Sequence, residues 1–354
     1  MKNLLFLLLL LLGSNWVQAQ TSFIDTNLND FCRATLERTM KEYDGEICEA
    51  AACGLKSDGQ LIVNIGLGYQ KGRFKTIPTL NSKGIPCGIT RGVQFLALMQ
   101  ELRPDFVIDV DGGQHFDSLS NCYIFDENCN YTNITLSKSV DVSNVAIYKA
   151  VEYAYKRDMN SYAGALFKTG IFFNTTDDGL HANEMWRPCE IMGMRSPISM
   201  FQQVAWCSGV LLNQGRILLR FSDSDSPEPV CKVKSSKRAI EELRKAMVLA
   251  VDSGSAYLLR TPGLSVGALL NVSEPDVVQC HAVTGFICLQ GMNGTGYTIG
   301  FYVLKHGQAR REMVTSILRK VIDYMVTHGY MINANVTVNV DSMRPRYHAA
   351  EKGR

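Results

Sequence analysis

The chain has 354 residues, 36 basic and 34 acidic side chains, a formal net charge of +2 and 46% hydrophobic content. That balance belongs to a folded globular protein and excludes a disordered tail or a fibrous repeat. No basic tract or aromatic-basic interleaving marks a nucleic-acid partner, and no uninterrupted apolar run reaches the about 20 residues of a stable membrane span.

Residues 1–19 carry the first strong signal. Lys2 precedes an unbroken apolar run from Leu4 to Leu12, and Val17-Gln18-Ala19 places a small residue before a cut. This is the plan of a secretory signal peptide. It predicts a mature chain starting at Gln20, either secreted or held in the lumen of the secretory or lysosomal pathway. Six Asn-X-Ser/Thr sequons, at Asn130, Asn133, Asn174, Asn271, Asn293 and Asn335, predict a glycoprotein. Eleven cysteines predict disulfide bonds with at least one thiol left over. The nearest pairs by spacing are Cys48 with Cys53, Cys122 with Cys129, and Cys280 with Cys288.

In chain order, residues 30–42 have a helical period, and Leu61 to Ile65 reads as a strand closed by Gly66 and Gly68. A helix is expected from Thr90, a good capping residue, with Pro104 as the stop. Phe106 to Val110 is an apolar β-rich run, hence a buried strand. Short strands follow at Cys122 to Phe125 and Ile134 to Leu136, then a helix over 143–157. Residues 165–173 and 216–221 look extended, with a helix at about 198–212 between them. Residues 222–237 are polar, Pro-containing and aperiodic, a linker or long surface loop. They separate an N-terminal α/β domain (20–221) from a C-terminal region (238–354).

That region is the more regular half. Ile240, Leu243, Met247, Ala250 and Val251 share a helix face, extended runs lie near 256–260, 277–289 and 297–304, and Met313 to Met325 form a wide apolar stripe ended by Gly329. Asn335 to Val340 alternates as a last strand. Helix, three strands, helix, strand predicts a two-layer α/β sandwich. The fold class expected for the whole is α/β or α+β, with mixed sheet layers covered by helices and stabilised by disulfides.

The candidate chemistry gathers at Asp109-Val-Asp-Gly-Gly-Gln-His-Phe-Asp117. Asp109 and Asp111 lie two apart at the end of a strand and point the same way. Gly112 and Gly113 let the backbone bring His115 and Asp117 back toward them. Carboxylates with an imidazole suit a divalent metal ion that activates water, so Asp109, Asp111, His115 and Asp117 are the expected metal ligands. An acidic strand end followed by Gly-Gly also resembles the first motif of Rossmann-like methyltransferases, without their Gly-x-Gly.

A second candidate is Cys87. It sits just before the helix expected from Thr90, where the helix dipole and Arg91 would lower a thiol pKa, with His115 or His181 as a partner base. Gly66, Gly68 and Gly72 are followed by an extended segment, so they form a turn and no phosphate cradle. These features predict a secreted or lumenal N-glycosylated hydrolase, metal-dependent through the Asp/His cluster. The alternatives are a non-catalytic secreted glycoprotein that binds a ligand or receptor, and a Cys-His thiol hydrolase.

Overall fold

The structure is a computed structural model that describes residues 24–43, 46–68, 89–102, 107–109, 133–135, 144–171, 198–220, 226–272, 280–290, 294–307 and 310–331. A five-stranded antiparallel sheet organises them. Its strands are β1 (Ile47–Lys56), β2 (Leu61–Gly68), β7 (Ser265–Val272), β8 (Cys280–Gln290) and β9 (Gly296–His306), in the order β2-β1-β9-β8-β7. The sheet therefore draws on chain from both sides of residues 222–237. Two small antiparallel ribbons complete the strand list: β3 (Val107–Asp109) with β4 (Asn133–Thr135), and β5 (Arg216–Leu219) with β6 (Glu228–Lys232).

Helices cover both faces. On one lie α1 (Thr26–Glu42) and α7 (Arg311–Thr327), which also pack on each other. On the other lie α5 (Met200–Leu211) and α6 (Lys237–Asp252), joined by the short α2 (Thr90–Leu98). Beyond α2 are α3 (Asn144–Tyr155) and α4 (Met159–Lys168). The arrangement is α+β with an antiparallel sheet, and helices cover the face that a two-layer sandwich would leave open. A parallel Rossmann-like sheet is ruled out by the antiparallel pairing of all five strands.

Burial explains the sequence patterns. The central strand β9 is buried from Gly296 to Lys305, and β1 is buried from Glu49 to Leu55, so neither alternates apolar with polar. Small residues Ala50, Ala51, Ala52 and Cys53 allow the helices to approach β1 closely. Gly285 in β8 is required for the same reason: a Cβ there would lie 2.8 Å from Leu318 Cδ1 of α7. The wide stripe foreseen on α7 is buried in full, from Met313 to Met325.

Several expectations need correction. Residues 165–173 are not extended at their start: α4 runs to Lys168, begun by the Asp158 side chain, which accepts from Asn160 N–H. Within 222–237, residues 228–232 form β6, and α6 begins at Lys237 with Ser236 as its cap. β1 and β7 had no clear signal, because strands buried on both faces lose the period of two. Residues 122–125 and 335–340 lie outside the described residues.

The disulfide expectation also falls. Among the described residues no disulfide forms, and the thiols of Cys32, Cys53, Cys231 and Cys288 are free. Cys48 and Cys53 share strand β1, and Cys280 and Cys288 share β8. Five strand residues span about 16 Å, well beyond the reach of a disulfide. Cys122 and Cys129 lie outside the described residues.

Candidate functional site

A buried polar cluster lies where α2, α3 and α4 meet. α2 starts at Thr90, as its sequence suggested, but Ile89 occupies the cap position and makes no side-chain bond. Arg91 and Gln94, three apart and so on one face of the helix, are both buried, at 9% and 1% exposure. The Gln94 side chain hydrogen-bonds the hydroxyl of Tyr162 on α4, a tyrosine that is fully buried. Burial pushes the Tyr162 phenol far above its ordinary value, with Gln94 opposing. Burial does the same to Tyr155, whose hydroxyl donates to the Ala97 carbonyl at 2.5 Å. Both phenols therefore stay protonated at any physiological pH and cannot act as bases.

A second set of bonds fixes α4 against α5. Trp206 is completely buried, and its indole N–H donates to the Thr169 carbonyl at 2.8 Å. The Thr169 hydroxyl donates to Leu166 O at 2.6 Å. Gly170 follows at φ +77°, the left-handed geometry of a helix end. Trp206 also fills the space above α2: a Cβ on Gly92 would lie 2.9 Å from its ring and 3.3 Å from Leu269 of β7. The N-terminal half of α2 is thus packed onto apolar side chains.

The sequence-based candidates are placed only in part. Asp109 ends β3, in a two-stranded ribbon opposite Asn133, outside the five-stranded sheet. Asp111, His115, Asp117, Cys87 and His181 lie outside the described residues. Among the described residues no group of three or more His, Cys, Asp or Glu could hold a metal ion, and no helix is long and apolar enough to cross a membrane. The residues the sequence reading missed are Gln94, Tyr155, Tyr162 and Trp206. Trp206 had a signal, because a tryptophan inside an otherwise apolar helix needs an acceptor for its N–H.

No family model and no curated protein matches the chain. Solved structures do. A peptidoglycan glycosyltransferase from Burkholderia ambifaria superposes with a TM-score of 0.63 at 13% identity, over 86% of this chain and 97% of that one. The transpeptidase domain of FtsI4 D,D-transpeptidase from Legionella pneumophila gives 0.58 at 12% identity, over 86% and 98%. The D,D-transpeptidase domain of a peptidoglycan glycosyltransferase from Eggerthella lenta gives 0.60 at 14% identity, over 84% and 82%. The chain has the fold of the transpeptidase domains found in penicillin-binding proteins.

That likeness overturns the functional expectation. The neighbours are bacterial peptidoglycan enzymes, which contradicts the secreted glycosylated metal-dependent hydrolase. The glycoprotein, disulfide-bond and metal-binding labels go with it, since the described residues hold neither a disulfide nor a metal cluster.

Serine acyltransferases of this class carry Ser-x-x-Lys with the nucleophile, together with Ser-Asp-Asn and Lys-Thr-Gly. Neither Ser-x-x-Lys nor Ser-Asp-Asn occurs in these 354 residues. Lys-Thr-Gly occurs once, at Lys168-Thr169-Gly170, and there it is the C-terminal end of α4. Lys168 is exposed while Thr169 and Gly170 serve the helix end and the Trp206 bond. The tripeptide here is a structural cap.

Proposed function

We propose that this chain is a non-acylating protein on the transpeptidase fold, exported to the bacterial cell envelope, where it binds peptide components of peptidoglycan assembly without turning them over. The observation that carries this reading is the lack of any Ser-x-x-Lys in the sequence. In that motif the hydroxyl and the amine sit one helical turn apart, so the lysine can take the proton as the serine attacks. The first turn of α2 holds a buried cation, Arg91. A guanidinium keeps its proton at any accessible pH and cannot act as that base. Export is supported by residues 1–19, and the ligand class by the D,D-transpeptidase domains that share the fold.

The test uses a peptide ending in the D-amino-acid pair from which D,D-transpeptidases take their name. Calorimetry should give saturable binding, while the release of the terminal D-amino acid stays at the rate of buffer alone. Release that scales with protein concentration would overturn the non-acylating reading. The absence of any binding would remove the peptide as ligand.

A further inference from the structure

Six cations with no described counter-charge converge where α4 ends and α6 begins. Lys234 N–H donates to the Lys168 carbonyl at 2.7 Å, which brings the end of α4 against the segment after β6. Lys232 faces Arg216 across the β5–β6 ribbon. Lys232 and Lys234 share one side of the extended segment, because Val233 between them is buried. Lys237 and Arg238 then open α6 directly after its cap, Ser236. Lys168, Arg216, Lys232, Lys234, Lys237 and Arg238 are all exposed, and none makes an ion pair with a described residue. The acidic neighbours on these elements are Glu228, at the far end of β6, and Glu241 and Glu242, which pair with Arg244 and Lys245 further along α6.

Two features separate this patch from an ordinary solvated face. Lys237 and Arg238 stand at the N-terminus of a 16-residue helix that has no acidic residue in its first turn. Cations there oppose the helix dipole and cost stability, a local violation of the kind that functional surfaces carry. Phe167 and Val230, at 51% and 41% exposure, are among the largest exposed apolar side chains. Phe167 precedes Lys168 in the chain, and Val230 stands two residues before Lys232, at the bulge of β6.

We infer that this surface docks peripherally on an anionic phospholipid bilayer, with the cations on the headgroup phosphates and Phe167 and Val230 entering the interface. Juxtaposed cations and apolar side chains are what an interfacial site requires. A purely phosphate-reading surface would need the cations alone.

The experiment is sedimentation of the chain, as processed by an exporting host, with phosphatidylglycerol–phosphatidylethanolamine vesicles, against phosphatidylcholine vesicles. Anionic vesicles should bind the protein and neutral ones should not. Lys232→Glu and Lys234→Glu should each lower partitioning about fivefold or more, and Phe167→Ser should lower it without changing its salt dependence. The double variant Lys237→Glu, Arg238→Glu should lose binding while its thermal midpoint rises, since it repairs the helix dipole. Equal binding to neutral vesicles, or unchanged binding in the charge variants, would overturn the proposal. So would double-stranded DNA binding as tightly as anionic vesicles at equal phosphate concentration.

Discussion

The five-stranded sheet and the helical cluster around α2 are both buried, but they are held by different forces. The sheet and the helices α1 and α7 meet through apolar side chains, with Phe301, Val314 and Leu318 fully out of water. The α2–α3–α4–α5 cluster encloses Arg91, Gln94, Tyr155, Tyr162 and the Trp206 indole, and directional bonds set its geometry. Apolar packing tolerates repacking if volume is kept. A buried polar group that loses its partner carries the full cost of its desolvation. The sheet should therefore respond to volume, and the helical cluster to the loss of single polar atoms.

The largest effect is expected at the point where the two meet. Trp206→Ala removes a fully buried indole and the donor to Thr169, and should destabilise by about 3–5 kcal/mol. Urea unfolding followed by circular dichroism measures it, and a loss below about 1 kcal/mol would show that the cluster is looser than described. Gly285→Ala probes the sheet alone. The new methyl would press on Leu318, Leu270 and Val314, an overpacking cost of about 1–3 kcal/mol. An increase in stability would mean that the α7–sheet seam has room.

Tyr162→Phe keeps the ring and deletes one hydroxyl, leaving Gln94 without that bond. The expected loss is about 1 kcal/mol, and none at all would break the contrast between the two regions. The smallest effect concerns pH. The Asp158 carboxylate is held below its ordinary value chiefly by the Ser161 hydroxyl, with backbone bonds from Asn160 and Ser161 adding to it. Its contribution at the start of α4 is fully present above the unfolded carboxylate's value of about 4, and is lost as the pH falls through the lower folded value. Asp158→Asn should flatten the acid limb of a stability–pH profile. An unchanged limb would show that the Ser161 bond does not persist in solution.

Much of the outer layer was legible in the sequence. The α6 and α7 faces carry their period openly because each meets the core on one side, while the α2 start near Thr90, the helix expected at about 198–212 and the strands β8 and β9 were marked by their caps, turns and extended apolar runs. β1 and β7 were missed because strands buried on both faces do not alternate. The end of α4 read as extended because Leu166 and Phe167 lead into the aromatic run that continues to Phe173. The site was less legible still. In the sequence Arg91 reads only as a helper to Cys87, and Tyr155 and Tyr162 look like ordinary core aromatics until the fold brings the Ala97 carbonyl beside the first and Gln94 beside the second. Lys168-Thr169-Gly170 teaches the converse: a tripeptide with a catalytic history can be a helix end, and only its surroundings decide.

The proposed function gives this chain the transpeptidase fold without the acylating chemistry. The most direct test is intact-protein mass spectrometry after prolonged incubation with excess penicillin. The mass should stay unshifted. A stable increase of one ring-opened penicillin per chain, lost when the protein is unfolded beforehand, would contradict it.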